Sequence, residues 1–338
     1  MLGLQTTFTY KTMKKPAILI ARNVAAEAVD RLRPHFDVET NFDDVIWPRD
    51  EFIAKLQGKQ GVFTSGGERI DAELLAKCPD LKICANMSVG YNNFDVDAMT
   101  AAGVQATNAP DVLTETTADM AFTLLMATAR RVSEAEAYLR TGLWKKMSFD
   151  MLLGSDIHGA TLGILGMGRI GQAIARRGAH GFGMNVIYHN RSKLDTATEA
   201  SVKARYVSKT DLFKQADHIV LVVPYSAASH HTVAAAEIAL MKPTATIVNI
   251  GRGGLIDEDA LAAALAANKI LGAGLDVFEG EPKINPALLA LKNVVLTPHI
   301  GSASVPTRKA MANLAADNLI GYLINGKAVT PLNTPVVR

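Results

Sequence analysis

Three side chains late in the chain, Arg252, Glu281 and His299, have the types that reduction of a carbonyl group requires. Arg252 can bind a carboxylate and polarise the adjacent carbonyl. His299 can protonate the oxygen on which negative charge develops, and it can accept the proton again in the reverse direction. Glu281 can hydrogen-bond the other ring nitrogen, fixing the tautomer and stabilising the protonated ring. Together they predict hydride transfer from a reduced nicotinamide to a 2-keto acid.

Each of these residues also has a structural interpretation when it is taken alone. Arg252 could form a surface ion pair, His299 could be a structural hydrogen bonder beside Pro298, and Glu281 could be a turn residue before Pro282. All three, however, are expected at or just beyond the C-terminal ends of strands of one sheet. Ligands bind at that edge in open α/β folds, so we predict a catalytic role for the three together.

A glycine fingerprint, Gly166, Gly168 and Gly171, follows an apolar run at residues 161–165 and opens a predicted helix from Arg169. The first glycine permits a tight turn, the second permits approach of a pyrophosphate, and the third permits close packing of helix and strand. The helix N-terminus favours the phosphate charge. We therefore predict a dinucleotide site; the alternative is a glycine-rich structural turn.

The end of the next predicted strand indicates which nicotinamide is preferred. Residues 188–193 read Tyr-His-Asn-Arg-Ser-Lys, and no acid follows until Asp195. An acid at this place accepts from the ribose 2′-OH in NAD sites and would repel a 2′-phosphate. Arg191, Ser192 and Lys193 could instead bind that phosphate, which predicts a preference for NADP(H). The alternative is a solvated basic loop, with NAD(H) bound less selectively.

Composition bounds the class of protein. The chain has 338 residues, a formal net charge of +2, 49% hydrophobic and 20% charged residues, as in soluble proteins of two domains. Scattered Lys and Arg argue against nucleic-acid binding, and no apolar stretch predicts a membrane span. Cys78 and Cys84 lack metal-ligand spacing, so we expect no metal site and two buried thiols in a reducing cytoplasm. Residues 1–13 are expected to be a disordered extension or an artefact of the start site or cloning.

Strands alternate with helices along the chain, which predicts parallel sheets. The predicted strands are at 16–21, 61–64, 81–85, 104–107, 161–165, 185–188, 218–223, 245–250, 272–276 and 294–297, and long helices are predicted at 113–141 and 305–325. The fold class is α/β with two doubly wound domains. A Rossmann domain of residues 111–299 is inserted in a discontinuous flavodoxin-like substrate domain of residues 1–110 and 300–338. Helix 113–141 is either a dimer element or buried inside one subunit.

With these motifs the chain resembles the D-2-hydroxyacid dehydrogenase family from about Lys15 onward. Segments 163–171, 249–257, 276–282 and 297–303 match in family order. The chain is most similar to the bacterial glyoxylate/hydroxypyruvate reductases of that family, also called 2-ketogluconate reductases. Segments 88–97 and 112–119 and the acid-free 190–192 support this assignment.

The resemblance implies further roles. The backbone N–H groups of Val89 and Gly90 would bind the substrate carboxylate beside Ser88, since consecutive amides can form an anion nest. Trp144 would reach the substrate pocket of a partner subunit, or else serve as an ordinary interface anchor, and the protein would be a homodimer. Asp276 would face the nicotinamide carboxamide. The full predicted cofactor-binding set is Gly166, Gly168, Arg169, Ile170, Gly171, Asn190, Arg191, Ser192, Lys193, Pro224, Thr116, Ile250, Gly251 and Asp276.

Several alternatives remain open at this point. Glyoxylate, hydroxypyruvate and 2-keto-D-gluconate present the same groups to the trio, and small residues such as Ser65 and Gly66 would admit a larger acid. D-Glycerate, D-lactate and phosphoglycerate dehydrogenases are related alternatives, although no room is expected for an added regulatory domain. Formate dehydrogenases carry an amide in place of Glu281. A nicotinamide-sensing binding protein is a different class, which turnover would exclude.

Overall fold

The computed structural model describes residues 15–336, so the expectation for residues 1–13 lies outside the described residues. The chain divides into two compact units, one of Met1–Pro110 and Arg308–Arg338 and the other of Asp111–Thr307. The sequence analysis placed the last boundary after residue 299, whereas the second unit extends to Thr307. The reason is local, because Ile300, Gly301 and Thr307 all hydrogen-bond within the second unit.

The first unit is built on a five-stranded parallel sheet in the order β2-β1-β3-β4-β5. Its strands are β1 (Ala17–Ile20), β2 (Asp37–Thr40), β3 (Gly61–Thr64), β4 (Ile83–Asn86) and β5 (Gln105–Thr107). Its helices are α1 (Ala26–Leu32), α2 (Arg49–Leu56), α3 (Ala72–Lys77), α4 (Val96–Ala101) and the part of the C-terminal helix (Val305–Asn325) that follows Thr307. This strand order is the flavodoxin-like one, as predicted.

Apolar side chains cover both faces of this sheet, which explains why β3 and β4 are buried throughout. One face packs on α2, α3 and α4. The other face packs on α1 and on Ala312, Ala315 and Leu319 of the C-terminal helix. A Cβ on Gly61 would lie 2.9 Å from a methyl of Leu319, so the helix approaches the strand closely. The chain therefore returns to its first sheet after completing the second.

The second unit contains a seven-stranded parallel sheet in the order β12-β11-β10-β9-β6-β7-β8. Its strands are β6 (Thr161–Leu165), β7 (Asn185–His189), β8 (Ala204–Tyr206), β9 (His218–Leu221), β10 (Thr246–Asn249), β11 (Gly272–Leu275) and β12 (Val294–Leu296). Its helices are α5 (Thr114–Ala129), α6 (Val132–Arg140), α7 (Arg169–Arg176), α8 (Thr196–Ser201), α9 (Lys209–Gln215), α10 (Ala235–Ile238), α11 (Glu258–Ala266) and α12 (Pro286–Leu289). This order is that of a Rossmann sheet with one added strand.

The single helix predicted at 113–141 is wrong, because the chain breaks after α5 at Arg131. Arg131 adopts a left-handed conformation with φ 52°, which a helix cannot continue through. The two parts differ in burial. α5 packs on the sheet of its own unit, where Thr128 and Leu124 fill the space above Gly272 and Gly274. α6 has no buried residue.

Two strands were missed by the sequence analysis, β2 and β8. Each lies at one edge of its sheet, is three or four residues long, and carries exposed or half-buried polar residues. Short, polar edge strands limit the pairing of one sheet with another. They also lack the apolar run by which a central strand is recognised in a sequence. Among residues 15–336, no helix combines the length and apolar character needed to cross a bilayer.

Candidate active site

The glycine turn follows β6 directly, and its geometry explains two of its three glycines. Gly166 has φ 104°, and a Cβ on it would lie 2.8 Å from the backbone of Val222 and Val223. A Cβ on Gly171 would lie 2.2 Å from the carbonyl oxygen of Gly166. Gly168 caps α7 and has open space around it. The backbone is thus exposed where a pyrophosphate would approach the helix, which fits a dinucleotide.

The segment after β7 lies beside this turn. The Asn190 Oδ1 accepts the N–H of Met167 at 2.7 Å, which joins the end of β7 to the glycine turn. Arg191, Ser192 and Lys193 are exposed. Lys193 lies 3.4 Å from Glu199 of α8, so part of the Lys193 charge is balanced by that carboxylate. The segment presents cationic and hydroxyl groups where an NAD site carries an acid.

The buried Tyr188 side chain fixes the segment that follows β7. Its hydroxyl accepts the N–H of Leu194 and donates to Glu199, both at 2.8 Å. Burial, together with the bond to Glu199, raises the pKa of Tyr188 to about 12, so the phenol stays protonated and able to donate. Sequence reasoning missed this role, although a tyrosine one residue from the end of a buried strand is a recognisable signal.

The other predicted cofactor residues are distributed over the second unit. The Thr116 hydroxyl lies 2.6 Å from that of Thr307, and Arg169 forms an ion pair with Asp111 at 2.7 Å. Ile170 is half-buried in the first turn of α7. The Pro224 carbonyl, beyond β9, accepts the Ser229 hydroxyl at 2.9 Å. Arg169 is therefore occupied by a partner, which the sequence did not indicate.

Arg252 lies in the turn after β10, and Asn249 shapes that turn. The Asn249 amide donates to the Arg252 carbonyl at 2.9 Å and accepts the N–H of Gly251 at 3.1 Å, while Ile250 is buried. Burial lowers the pKa of the Arg252 guanidinium, and the charge of Glu281 acts in the opposite direction. A guanidinium remains protonated despite such a shift, so Arg252 is a partly desolvated cation. Its binding energy for an anion is greater there than in water.

Glu281 and His299 form the pair that the sequence predicted. The His299 Nδ1 lies 2.8 Å from the Glu281 Oε2, and the Phe278 N–H donates to the Glu281 Oε1 at 2.8 Å. Burial acts to raise the pKa of Glu281, but the bonds from His299 and Phe278 outweigh it, and the pKa lies below its ordinary value. Glu281 is thus an anion that orients the ring and leaves Nε2 for a reactant.

The loops that carry Arg252 and Glu281 touch. A Cβ on Gly253 would lie 1.8 Å from the carbonyl oxygen of Phe278, so only glycine fits between them. Strands β10, β11 and β12 are adjacent and parallel. Arg252, Glu281 and His299 therefore follow the carboxyl ends of three neighbouring strands, where ligands bind in this fold.

Asp276 organises the loop that carries His299. Its carboxylate accepts the Thr297 hydroxyl at 2.7 Å, the Ile300 N–H at 2.8 Å and the Gly301 N–H at 2.7 Å. Its carbonyl accepts the N–H of His299 at 2.9 Å, and His299 has φ 54°. Asp276 is 1% exposed. Sequence reasoning assigned it to the cofactor and missed this structural role, which depends on backbone groups that residue types do not reveal.

The predicted substrate residues Ser88, Val89 and Gly90 lie in the first unit, in the turn after β4. The Ser88 hydroxyl donates to the Ser65 carbonyl at 2.6 Å. The carbonyls of Val89 and Gly90 accept from Asn108 and Asn86 at 2.8 and 3.0 Å. These bonds fix the turn in a defined conformation. Trp144 lies beyond α6 and is 51% exposed.

Cys78 and Cys84 are buried, as predicted, and both are free thiols. Burial raises the pKa of the Cys84 thiol, so it stays protonated. Both belong to the packing of the first unit.

The chain is similar to several known proteins along most of its length. The family model described as "D-isomer specific 2-hydroxyacid dehydrogenase, NAD binding domain" matches residues 122–301. A glyoxylate reductase of Thermococcus gammatolerans is 45% identical over 96% of this chain and 98% of its own. The crystal structure of an NADPH-dependent glyoxylate/hydroxypyruvate reductase of Sinorhizobium meliloti, in complex with NADP and malonate, is 36% identical with a TM-score of 0.83, covering 96% and 99% of the chains. That of a glyoxylate reductase from Paecilomyes thermophila is 34% identical with a TM-score of 0.85, covering 95% and 99%.

The two parallel sheets and the matches to known proteins define an α/β oxidoreductase with an NAD(P)-binding domain. The chain belongs to the D-isomer specific 2-hydroxyacid dehydrogenase family.

Proposed function

We propose that the protein reduces small 2-keto acids to D-2-hydroxy acids with NADPH, with glyoxylate and hydroxypyruvate as substrates and 2-keto-D-gluconate as a further candidate. The observation that carries the proposal is the 2.8 Å pair of His299 and Glu281 beside the Arg252 turn. This pair is a proton donor with its orienting carboxylate, next to a cation for the substrate carboxylate. Relatives of near-equal length are named glyoxylate reductases, which supports the substrate class.

The residues of the second unit can perform the acid–base part of this reaction. The bound nicotinamide would supply a hydride to the carbonyl carbon. Arg252 would hold the substrate carboxylate and polarise the carbonyl. His299 would donate the Nε2 proton to the carbonyl oxygen, and Glu281 would stabilise the protonated ring before that transfer. In the direction of oxidation, His299 would accept the proton. The binding of a substrate carboxylate by the Val89 and Gly90 N–H groups stays a proposal that rests on the family resemblance.

The preference for NADPH rests on the acid-free segment after β7. Arg191, Ser192 and Lys193 are exposed there, and Asn190 and Tyr188 fix the backbone on either side of them. A 2′-phosphate would gain charge-assisted hydrogen bonds from this segment, whereas a ribose hydroxyl would gain fewer. A preference for NADPH favours reduction as the direction of the reaction.

We further propose a homodimer formed through α6 and the segment that follows it. Leu139, Leu143, Met147, Phe149 and Leu153 are between 56% and 96% exposed, beside the half-exposed Trp144. Several large, exposed apolar side chains within one segment are typical of an interface. In this proposal Trp144 reaches the substrate pocket of the partner subunit. A reducing cytoplasmic location stays a prediction, in keeping with the two free thiols.

The test of function is absorbance-followed cofactor oxidation with hydroxypyruvate, glyoxylate, 2-ketogluconate and pyruvate, each against NADPH and NADH. We expect rapid oxidation of NADPH with hydroxypyruvate or glyoxylate, and their ranking would identify the preferred acid. Faster turnover with NADH would contradict the cofactor assignment. Binding of NADPH without turnover of any acid would contradict the reductase and favour a nicotinamide-sensing protein.

A further inference from the structure

His230, His231 and Glu279 form a cluster in the second unit that has no part in the proposed reaction. Each presents one ligand atom, and these atoms lie within 4.8 Å of one another. The two histidines follow β9, and Glu279 follows β11. Imidazole nitrogens and a carboxylate are the donors that zinc-class ions prefer in proteins.

The backbone around the two histidines is held in place. His231 has φ 47°, and its N–H donates to the Gly254 carbonyl at 2.7 Å. The next residues pair with the opposite segment, where the Val233 N–H donates to the Leu255 carbonyl at 3.0 Å. The left-handed turn at His231 brings two neighbouring side chains together, which an extended strand would direct to opposite faces. The arrangement is therefore set by the fold.

The rings themselves are unusually close. His230 and His231 stack with centroids 3.8 Å apart and planes 22° apart, and the His231 Nε2 lies 2.9 Å from the Glu279 Oε2. A single cation bound by both rings and the carboxylate would offset the negative charge of Glu279.

Tyr225 provides a second contact. Its hydroxyl lies 3.1 Å from the His230 Nδ1. In the tautomer with the proton on Nδ1, the ring donates to this oxygen, and Nε2 carries the lone pair. Hydrogen bonds of this kind orient the histidine ligands of metal sites.

We propose that His230, His231 and Glu279 bind Zn²⁺ or a similar divalent ion that prefers nitrogen ligands. Ligand atoms about 2.0–2.2 Å from a tetrahedral zinc lie about 3.4 Å from one another, so closure from the present spacing requires only side-chain rotation. His230 and Glu279 are exposed and can make that rotation. Water would complete the coordination, as in open zinc sites. This inference replaces the sequence-based expectation of no metal site and does not depend on the proposed reaction.

The position of Glu279 links this site to the catalytic loop. The Glu279 N–H donates to the Glu258 Oε1 at 2.7 Å, and Glu279 lies two residues before Glu281. With an ion bound, the loop would be restrained at Glu279 in two ways. The ion would hold the side chain, and Glu258 holds the backbone N–H.

The test is calorimetric titration of chelator-treated full-length protein with Zn²⁺, with thermal unfolding as a second readout. We expect saturable binding of one ion and a higher Tm, since a ligand that binds only the folded state stabilises it. Glu279→Gln and His230→Asn should each weaken binding by at least about tenfold. Mg²⁺ should not bind there, because it prefers oxygen ligands.

Two controls assign the binding to this cluster. His180→Asn changes an exposed histidine elsewhere and should bind Zn²⁺ as the parent does. His299→Asn removes the other histidine–carboxylate pair and should also retain the site. The proposal would be overturned by an absence of saturable binding. It would equally be overturned if His299→Asn abolished binding while Glu279→Gln preserved it.

Discussion

At the scale of single residues, the proposed chemistry depends on the two hydrogen bonds that the Glu281 carboxylate accepts. It accepts one bond from the His299 ring and another from the Phe278 backbone, and its pKa is lowered as a result. The sequence predicted the pair because the residue types and strand ends were informative. It did not predict the second acceptor interaction, since a backbone donor carries no signature in the sequence.

Replacement of His299 by Ala should lower kcat by roughly 10²–10⁴, because the developing oxyanion loses its proton donor. Binding of NADPH should change little, since the glycine turn and the segment after β7 are untouched. Steady-state kinetics and fluorescence titration of NADPH measure the two effects. His180→Ala is the matched control and should keep full turnover; near-normal turnover of His299→Ala would remove it as the acid.

Replacement of Arg191 by Ala should weaken NADPH far more than NADH, because the change removes a cation expected to contact only the 2′-phosphate. Dissociation constants for both cofactors measure the effect. Arg205→Ala changes an arginine on the neighbouring strand β8 and serves as the control. Equal losses for the two cofactors would contradict the assignment of the 2′-phosphate to this segment.

At the scale of elements, the sequence predicted the buried strands well but missed β2 and β8, which lie at the sheet edges. Strands β3 and β6 have the predicted bounds, because a strand buried on both faces is a continuous apolar run. Strand β2 was missed since three of its four residues are polar and all four are at least partly exposed. The break at Arg131 was missed because a left-handed arginine is specified by its surroundings and by no turn residue.

The glycine turn illustrates how one element depends on another. Gly171→Ala would place a methyl carbon 2.2 Å from the Gly166 carbonyl oxygen, so α7 must move away from the turn. We expect NADPH and NADH to weaken together, because the displaced N–H groups serve the pyrophosphate that both share. Gly181→Ala, a glycine with open space around it, is the matched control. Unchanged affinity in Gly171→Ala would show that the turn tolerates the shift.

At the scale of the whole molecule, we expect the proposed homodimer to separate when charged residues are introduced into its apolar segment. Leu139→Glu combined with Phe149→Glu should give a monomer, because two carboxylates would have to be desolvated in the interface. Light scattering coupled to size-exclusion chromatography measures the mass. Val305→Glu, an exposed apolar position outside the segment, should leave the mass unchanged. A stable dimer of the double variant would place the interface elsewhere.

The strand order of the second unit predicts that its edge strand unfolds locally more readily than its central strands. His299, the proposed proton donor, follows β12, which forms one edge of the sheet and pairs with β11. The glycine turn follows β6, four strands further in. Marginal strands open more readily than central ones. We therefore expect activity to be lost at a lower denaturant concentration than nucleotide binding.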